Sequence, residues 1–112
     1  MVCNFLSDTN FTQINSSWSL TNCEYLDGYL IGKSKTYSIE QELIIPKAAK
    51  LYLSFDYICF DPNIKTIYCG IVTNGVMNTT KRKVRTHKRK RISVVNSVRT
   101  EKIKVILTIE AK

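Results

Sequence analysis

The stretch KLYLSFDYICF, residues 50–60, constrains this chain more than any other. Leu51, Leu53, Phe55, Tyr57 and Cys59 fall on one side of it, and Tyr52, Ser54, Asp56, Ile58 and Phe60 on the other. A period of two is the signature of a strand with one face on a core, because successive Cβ atoms point to opposite sides of the pleat. TIYCGIVTN (66–74) repeats the pattern with Ile67, Cys69 and Ile71 on one face, and EKIKVILTIEAK (101–112) does so with Ile103, Val105, Leu107 and Ile109. Aromatic and β-branched residues are concentrated in these runs, as strands require. No segment sustains a helical period over three turns.

Turn chemistry divides the runs. Asp-Pro-Asn at 61–63 is expected to close a hairpin between 50–60 and 66–74, and Asn-Gly at 74–75 marks a tight turn. SIEQELIIPKAAK (38–50) admits two readings. Glu-Gln-Glu-Leu has helical propensity, with Pro46 ending the helix, whereas the spacing of Ile39, Gln41, Leu43 and Ile45 is that of a strand and is the better fit. The expectation is an all-β chain: one domain over residues 1–112, a single β-sandwich of jelly-roll type with roughly eight or nine strands.

Charge is strongly segregated. Residues 1–61 hold seven acids and four basic residues, whereas residues 62–100 hold ten basic residues and no acid. The centre of this field is KRKVRTHKRKR, residues 81–91, in which eight of eleven residues are Lys or Arg and which contains the only histidine, His87. Such a field favours a polyanionic partner or surface. Val84 and Thr86 alternate with Lys83, Arg85 and His87, and Ile92 and Val94 with Arg91, Ser93 and Val95. The run is therefore expected to be a folded basic hairpin at about 81–92, with a turn near 87–90 and a cationic outer face, rather than a disordered tail.

Four cysteines, Cys3, Cys23, Cys59 and Cys69, show no C-x-x-C spacing and read as free, mostly buried thiols. With one distant histidine they offer no metal-ligand pairs, so no metal or cofactor is expected. No stretch has the roughly 18 apolar residues of a membrane span. The start MVCNFLSDTN lacks the basic and apolar regions of a secretion signal.

Three stretches together resemble a known family. DTNFTQINSSWSL (8–20) is similar to the opening of carbohydrate-binding, galactose-binding-domain-like jelly rolls, YSIEQELIIPKAAKLYLSFDY (37–57) to their central pair of strands, and KIKVILTIEA to their closing strand. The resemblance implies a non-catalytic module that binds carbohydrate. Gln41 occupies that family's semi-buried Gln position, where it either meets ligand or satisfies backbone groups. Phe11 is followed by Thr12 and Gln13, and the last strand ends Ile-Glu-Ala-Lys, so the family's usual calcium-binding oxygens are not matched.

The residues supply their own candidates. Trp18 invites sugar stacking, but its position in the opening stretch that resembles the family implies a core residue instead. Tyr52, Asp56 and Tyr68 alternate away from the apolar face and are the better candidates for aromatic platforms beside a carboxylate, the alternative being that a loop or a partner subunit covers them. Lys83, Arg85, His87, Arg89 and Arg91 are the candidate anion-binding set. Two acids for glycoside cleavage could be drawn from Asp56 and Asp61, but nothing in the sequence places them across a cleft; His87 has no obvious carboxylate orienter, and no Gly-rich phosphate loop occurs. No catalytic residues are expected.

The Asn-, Ile- and Lys-rich composition suggests a low-GC bacterium or its phage. The resemblance, by family analogy, implies a virion or extracellular-surface setting such as a phage tail adhesion accessory, and the expected partner is a cell-surface glycan or other anionic polymer. A structural assembly protein docking on an acidic virion partner is the alternative. Nucleic acid is a weaker third, because the basic run lacks interleaved aromatic platforms.

Overall fold

Period-two patterning becomes nine antiparallel strands and no helix among the residues that the computed structural model describes, 18–26, 29–45, 48–99 and 101–112. In chain order they are β1 (Ser19–Thr21), β2 (Cys23–Leu26), β3 (Tyr29–Gly32), β4 (Thr36–Ile45), β5 (Ala49–Tyr57), β6 (Ile64–Thr73), β7 (Val76–Lys83), β8 (Lys90–Val98) and β9 (Glu101–Ala111). Residues 38–45 are strand where the helical alternative stood open, and Pro46, which that alternative needed as its end, lies outside the described residues. Ile39 and Ile45 are buried and Leu43 half-buried on one face of β4, and Glu40, Glu42 and Ile44 take the other.

Five strands form one sheet in the order β1-β4-β9-β6-β7. β5 and β8 form a second, and β2 and β3 a short third. The first two sheets close on a common core: Ile39, Ile67, Cys69, Ile71, Ile103, Val105, Leu107 and Ile109 from the large sheet meet Leu53, Phe55, Ile92, Val94 and Val98 from β5–β8. Two sheets with their inner faces interdigitated are a β-sandwich. Trp18 belongs to this core, 5% exposed with its ring 6.0 Å from that of Phe55, which removes it from the sugar-stacking candidates.

Two expected hairpins are corrected. Segments 50–60 and 66–74 do not pair with each other; β5 pairs with β8, and β6 lies between β9 and β7. The turn itself is present: the Asp61 carboxylate accepts the Asn63 N–H at 2.9 Å, and Ile64 N–H donates to Asp61 O at 3.2 Å. It redirects the chain from one sheet to the other instead of folding it back alongside itself. Likewise the basic run is not a hairpin, because β7 belongs to the five-stranded sheet and β8 to the pair with β5. Residues 84–89 form an arch across one end of the sandwich, with its turn at Thr86–His87, earlier than expected.

Asn-Gly behaves as its chemistry predicts. Asn74 and Gly75 have φ of 49° and 77°, the paired positive values of a tight hairpin turn, and they join β6 to β7 with Thr73 opposite Val76.

Candidate binding cavity and its cationic arch

β4, β6 and β9 meet at one end of the sandwich with the exit of β5. There the β2–β3 ribbon and the segment 58–61 stand around a cavity of ≈ 470 Å³. Its walls come from the alternation already described: Ile39, Phe55, Ile67, Leu107 and Ile109 are inward-facing core residues of β4, β5, β6 and β9. Aromatic groups complete it. Tyr25, Tyr29, Tyr37, Tyr57 and Phe60 all contribute, together with the carboxylate-bearing Asp56 and Asp61. Tyr29 and Phe60 stand at the mouth, 57% and 50% exposed, with their rings edge-on at 6.0 Å. Ring faces of this kind accept flat apolar surfaces and cations alike.

Tyr37 forms the cavity's inner wall because its neighbour is a glycine. A β-carbon on Gly32 would collide with the Tyr37 ring, so β3 can lie against that ring only without one. Burial pushes the Tyr37 hydroxyl up to about 12, helped by the nearby Cys59 and by the Asp61 carboxylate. Burial also raises the thiols of Cys23 and Cys59, which donate to Ser38 O at 3.5 Å and to Asp61 O at 3.4 Å. Cys69, fully buried in the core, is raised to about 12 by burial alone. These three cysteines are free, as expected; Cys3 lies outside the described residues.

The basic arch is fixed to the rim of the cavity. His87 takes φ 64°, which turns its N–H onto Cys59 O at 2.7 Å, and its ring lies 5.6 Å from that of Phe60. Val84 N–H donates to Lys65 O at 3.0 Å, and the Val84 side chain is half-buried in the cavity wall. Ile92, fully buried, anchors the other foot. Of the basic residues from 81 to 91, only Arg91 has a carboxylate partner among the described residues. Its Nε and Nη2 donate to Asp56 at 2.7 and 3.2 Å, holding that carboxyl below the ordinary carboxylate range. Lys83, Arg85, Lys88, Arg89 and Lys90 are exposed and form no ion pair with a described residue.

The residues singled out from the sequence fall in four places. Tyr52, 73% exposed, is on the outer face of β5 opposite Val95, with Lys50 Nζ 6.0 Å from its ring. Tyr68 is on the outer face of β6, half-buried beneath Lys81 Nζ at 5.7 Å. The two tyrosines thus face away from each other on opposite sides of the sandwich, and the expected shared platform does not exist. Gln41 points into the interior, 6% exposed, in register with Val105 and away from the cavity. Asp56 alone reaches the cavity's edge, and Lys83, Arg85, His87, Arg89 and Arg91 gather at that end.

Sequence reasoning missed Tyr25, Tyr29, Tyr37, Phe60 and Asp61 as a group. The available signal was the density of tyrosine between residues 25 and 37 beside a glycine.

A carboxyl held low by an arginine is a poor proton donor at neutral pH, which argues against Asp56 as a catalytic acid. No group of three or more His, Cys, Asp or Glu among the described residues is placed to hold a metal. Among the described residues, no helix is long and apolar enough to cross a membrane. Compared with known protein families and with curated proteins, the chain matches none, so the site is read from its own geometry.

Proposed function

We propose that the protein is a non-catalytic binding module of jelly-roll type. It seats one unit of an anionic cell-surface polymer, a glycan in the first instance, in the end cavity and steers the polymer's charge onto the arch. The observation that carries this reading is the juxtaposition of an aromatic-walled cavity of ≈ 470 Å³ with the basic arch, whose Val84 lines the wall, whose His87 ring lies 5.6 Å from that of Phe60, and whose exposed Arg85, Lys88 and Arg89 form no ion pair with a described residue. A cavity of this size suits a small ligand or a chain end, and apolar walls with a few convergent polar groups are the usual composition of such sites. Adhesion to a cell surface, for example as a virion accessory, is the setting proposed for it.

The test is a binding screen of acidic and neutral surface polysaccharides, repeated with Phe60→Ala. Phe60 is half exposed, so its removal should leave melting nearly unchanged while weakening polymer binding roughly tenfold. Binding that ignores Phe60 but disappears when the arch cations become serine would point instead to docking on an acidic partner protein.

A further inference from the structure

The distribution of charge between the cavity and its mouth is uneven. Every basic side chain at this end is outside the wall, and the ionisable groups in the wall are tyrosine hydroxyls, a cysteine thiol and the carboxylates of Asp56 and Asp61. Asp56 is neutralised by Arg91. Asp61 is not: its carboxylate accepts the Asn63 amide and has no cationic partner among the described residues. Its field reaches the buried Tyr37 hydroxyl. An anionic group pushed into the cavity would find repulsion and no positive partner. A compact cation would find the opposite: a lining that includes the aromatic residues Tyr29, Tyr37, Tyr57 and Phe60 together with Asp61, whose carboxylate has no cationic partner among the described residues. Aromatic cages with a carboxylate at the edge are the chemistry that recognises quaternary ammonium groups. Arg85, Lys88 and Arg89 are exposed on the arch that Val84 and His87 fix to the cavity's rim, and cations of this kind suit a phosphate.

We infer that the cavity takes the trimethylammonium end of a phosphocholine-type group, with the phosphate held outside by the arch. Such a substituent is a zwitterion whose cation and anion are separated by two carbons, and the site offers the two complementary charges in the same order, inside and at the mouth. This rests on the binding-module reading above and makes it specific: the unit recognised is the zwitterionic decoration of a polymer rather than one of its sugars. The same headgroup occurs on lipids, and the experiment separates the two sources.

Titration calorimetry would compare phosphocholine, choline, inorganic phosphate and a neutral methyl glycoside on the full chain, at low and moderate salt. Phosphocholine should bind more tightly than choline or phosphate by roughly tenfold or more, consistent with a cation–π and carboxylate contribution added to a phosphate contact. Asp61→Asn should lower affinity for choline severalfold and leave phosphate unaffected; Arg85→Ser combined with Arg89→Ser should do the reverse. Phe60→Leu, which keeps the bulk and removes the ring, guards against a folding defect, and melting curves accompany each variant. A choline-substituted polysaccharide and phosphatidylcholine vesicles then identify the source: capture of the polysaccharide supports the inference as stated, and capture of vesicles alone overturns its polymer half. If the methyl glycoside binds and phosphocholine does not, the inference falls while the glycan module stands. If neither binds and the Phe60 variants bind surface polymer as the native protein does, both readings fall.

Discussion

The ring of Tyr37 lies against the α-carbon of Gly32, where a side chain would collide with it. Gly32→Ala should therefore displace the ring and the β3 backbone together. An overpacking cost of about 1–3 kcal/mol is expected in urea denaturation, along with loss of ligand binding, because the inner wall moves. A stability unchanged from the native protein would show that the ring has room to swing. Asp56 gives a prediction in pH. Its folded carboxyl, held low by Arg91, contributes stability that is complete above the unfolded-state value and is lost as pH falls through the folded one. The melting temperature of the native protein should thus decline more steeply below about pH 4 than that of Asp56→Asn. Both partners are exposed to solvent, so the difference should be small and should shrink in salt. A steeper decline in the variant would refute the pairing.

At the scale of the element, the arch is the informative case. Its shape depends on one residue in a left-handed conformation, His87, and on two apolar feet, Val84 and Ile92. Replacing His87 with Gly removes the backbone cost of positive φ but also the ring against Phe60, so melting should hardly change. His87→Val, β-branched at φ 64°, should destabilise by about 1–2 kcal/mol. Equal melting of the two variants would mean that the turn refolds around the substitution. Val84→Asp places a carboxylate in the apolar wall and should cost on the order of 2 kcal/mol or more. Changing Lys83, Arg85, Arg89 and Arg91 together to Ser should abolish salt-sensitive binding with only a small loss of stability. The arch also shows where local pattern stops being informative. Alternation on both sides of the run correctly turned Val84 and Ile92 inward, but a hairpin and a crossover between sheets share that alternation, and only the partner strands distinguish them.

Over the whole molecule the pairings are long-range. β4 meets β9 with Thr36 opposite Glu110, and β5 meets β8 with Ala49 opposite Val98. Chains that must close such loops before they gain contacts fold slowly, so refolding should occupy milliseconds to seconds. Stopped-flow refolding finished within about a hundred microseconds would contradict this topology. Ile92, fully buried between the sheets, should lose about 2–5 kcal/mol on replacement by Ala. Circular dichroism should be that of strand without appreciable helix.

Much of this was legible in the sequence for a simple reason: facing in or out of a strand is a property of consecutive residues. The inward sets of β4, β5, β6 and β9 and the Asn74-Gly75 turn all follow from neighbours in the chain. Which sheet each strand joins does not, because β5 can satisfy its backbone hydrogen bonds with β6 or with β8, and the turn at 61–63 permits both. That choice placed Tyr52 and Tyr68 on opposite sides of the sandwich. It also brought Tyr29, Tyr37, Phe60 and Asp61 to the end where the arch crosses. Pattern assigned each side chain a face. The meeting of cavity and charge was decided only when distant strands closed on one core, since burying the inner faces together requires a particular arrangement of strands that no local stretch encodes.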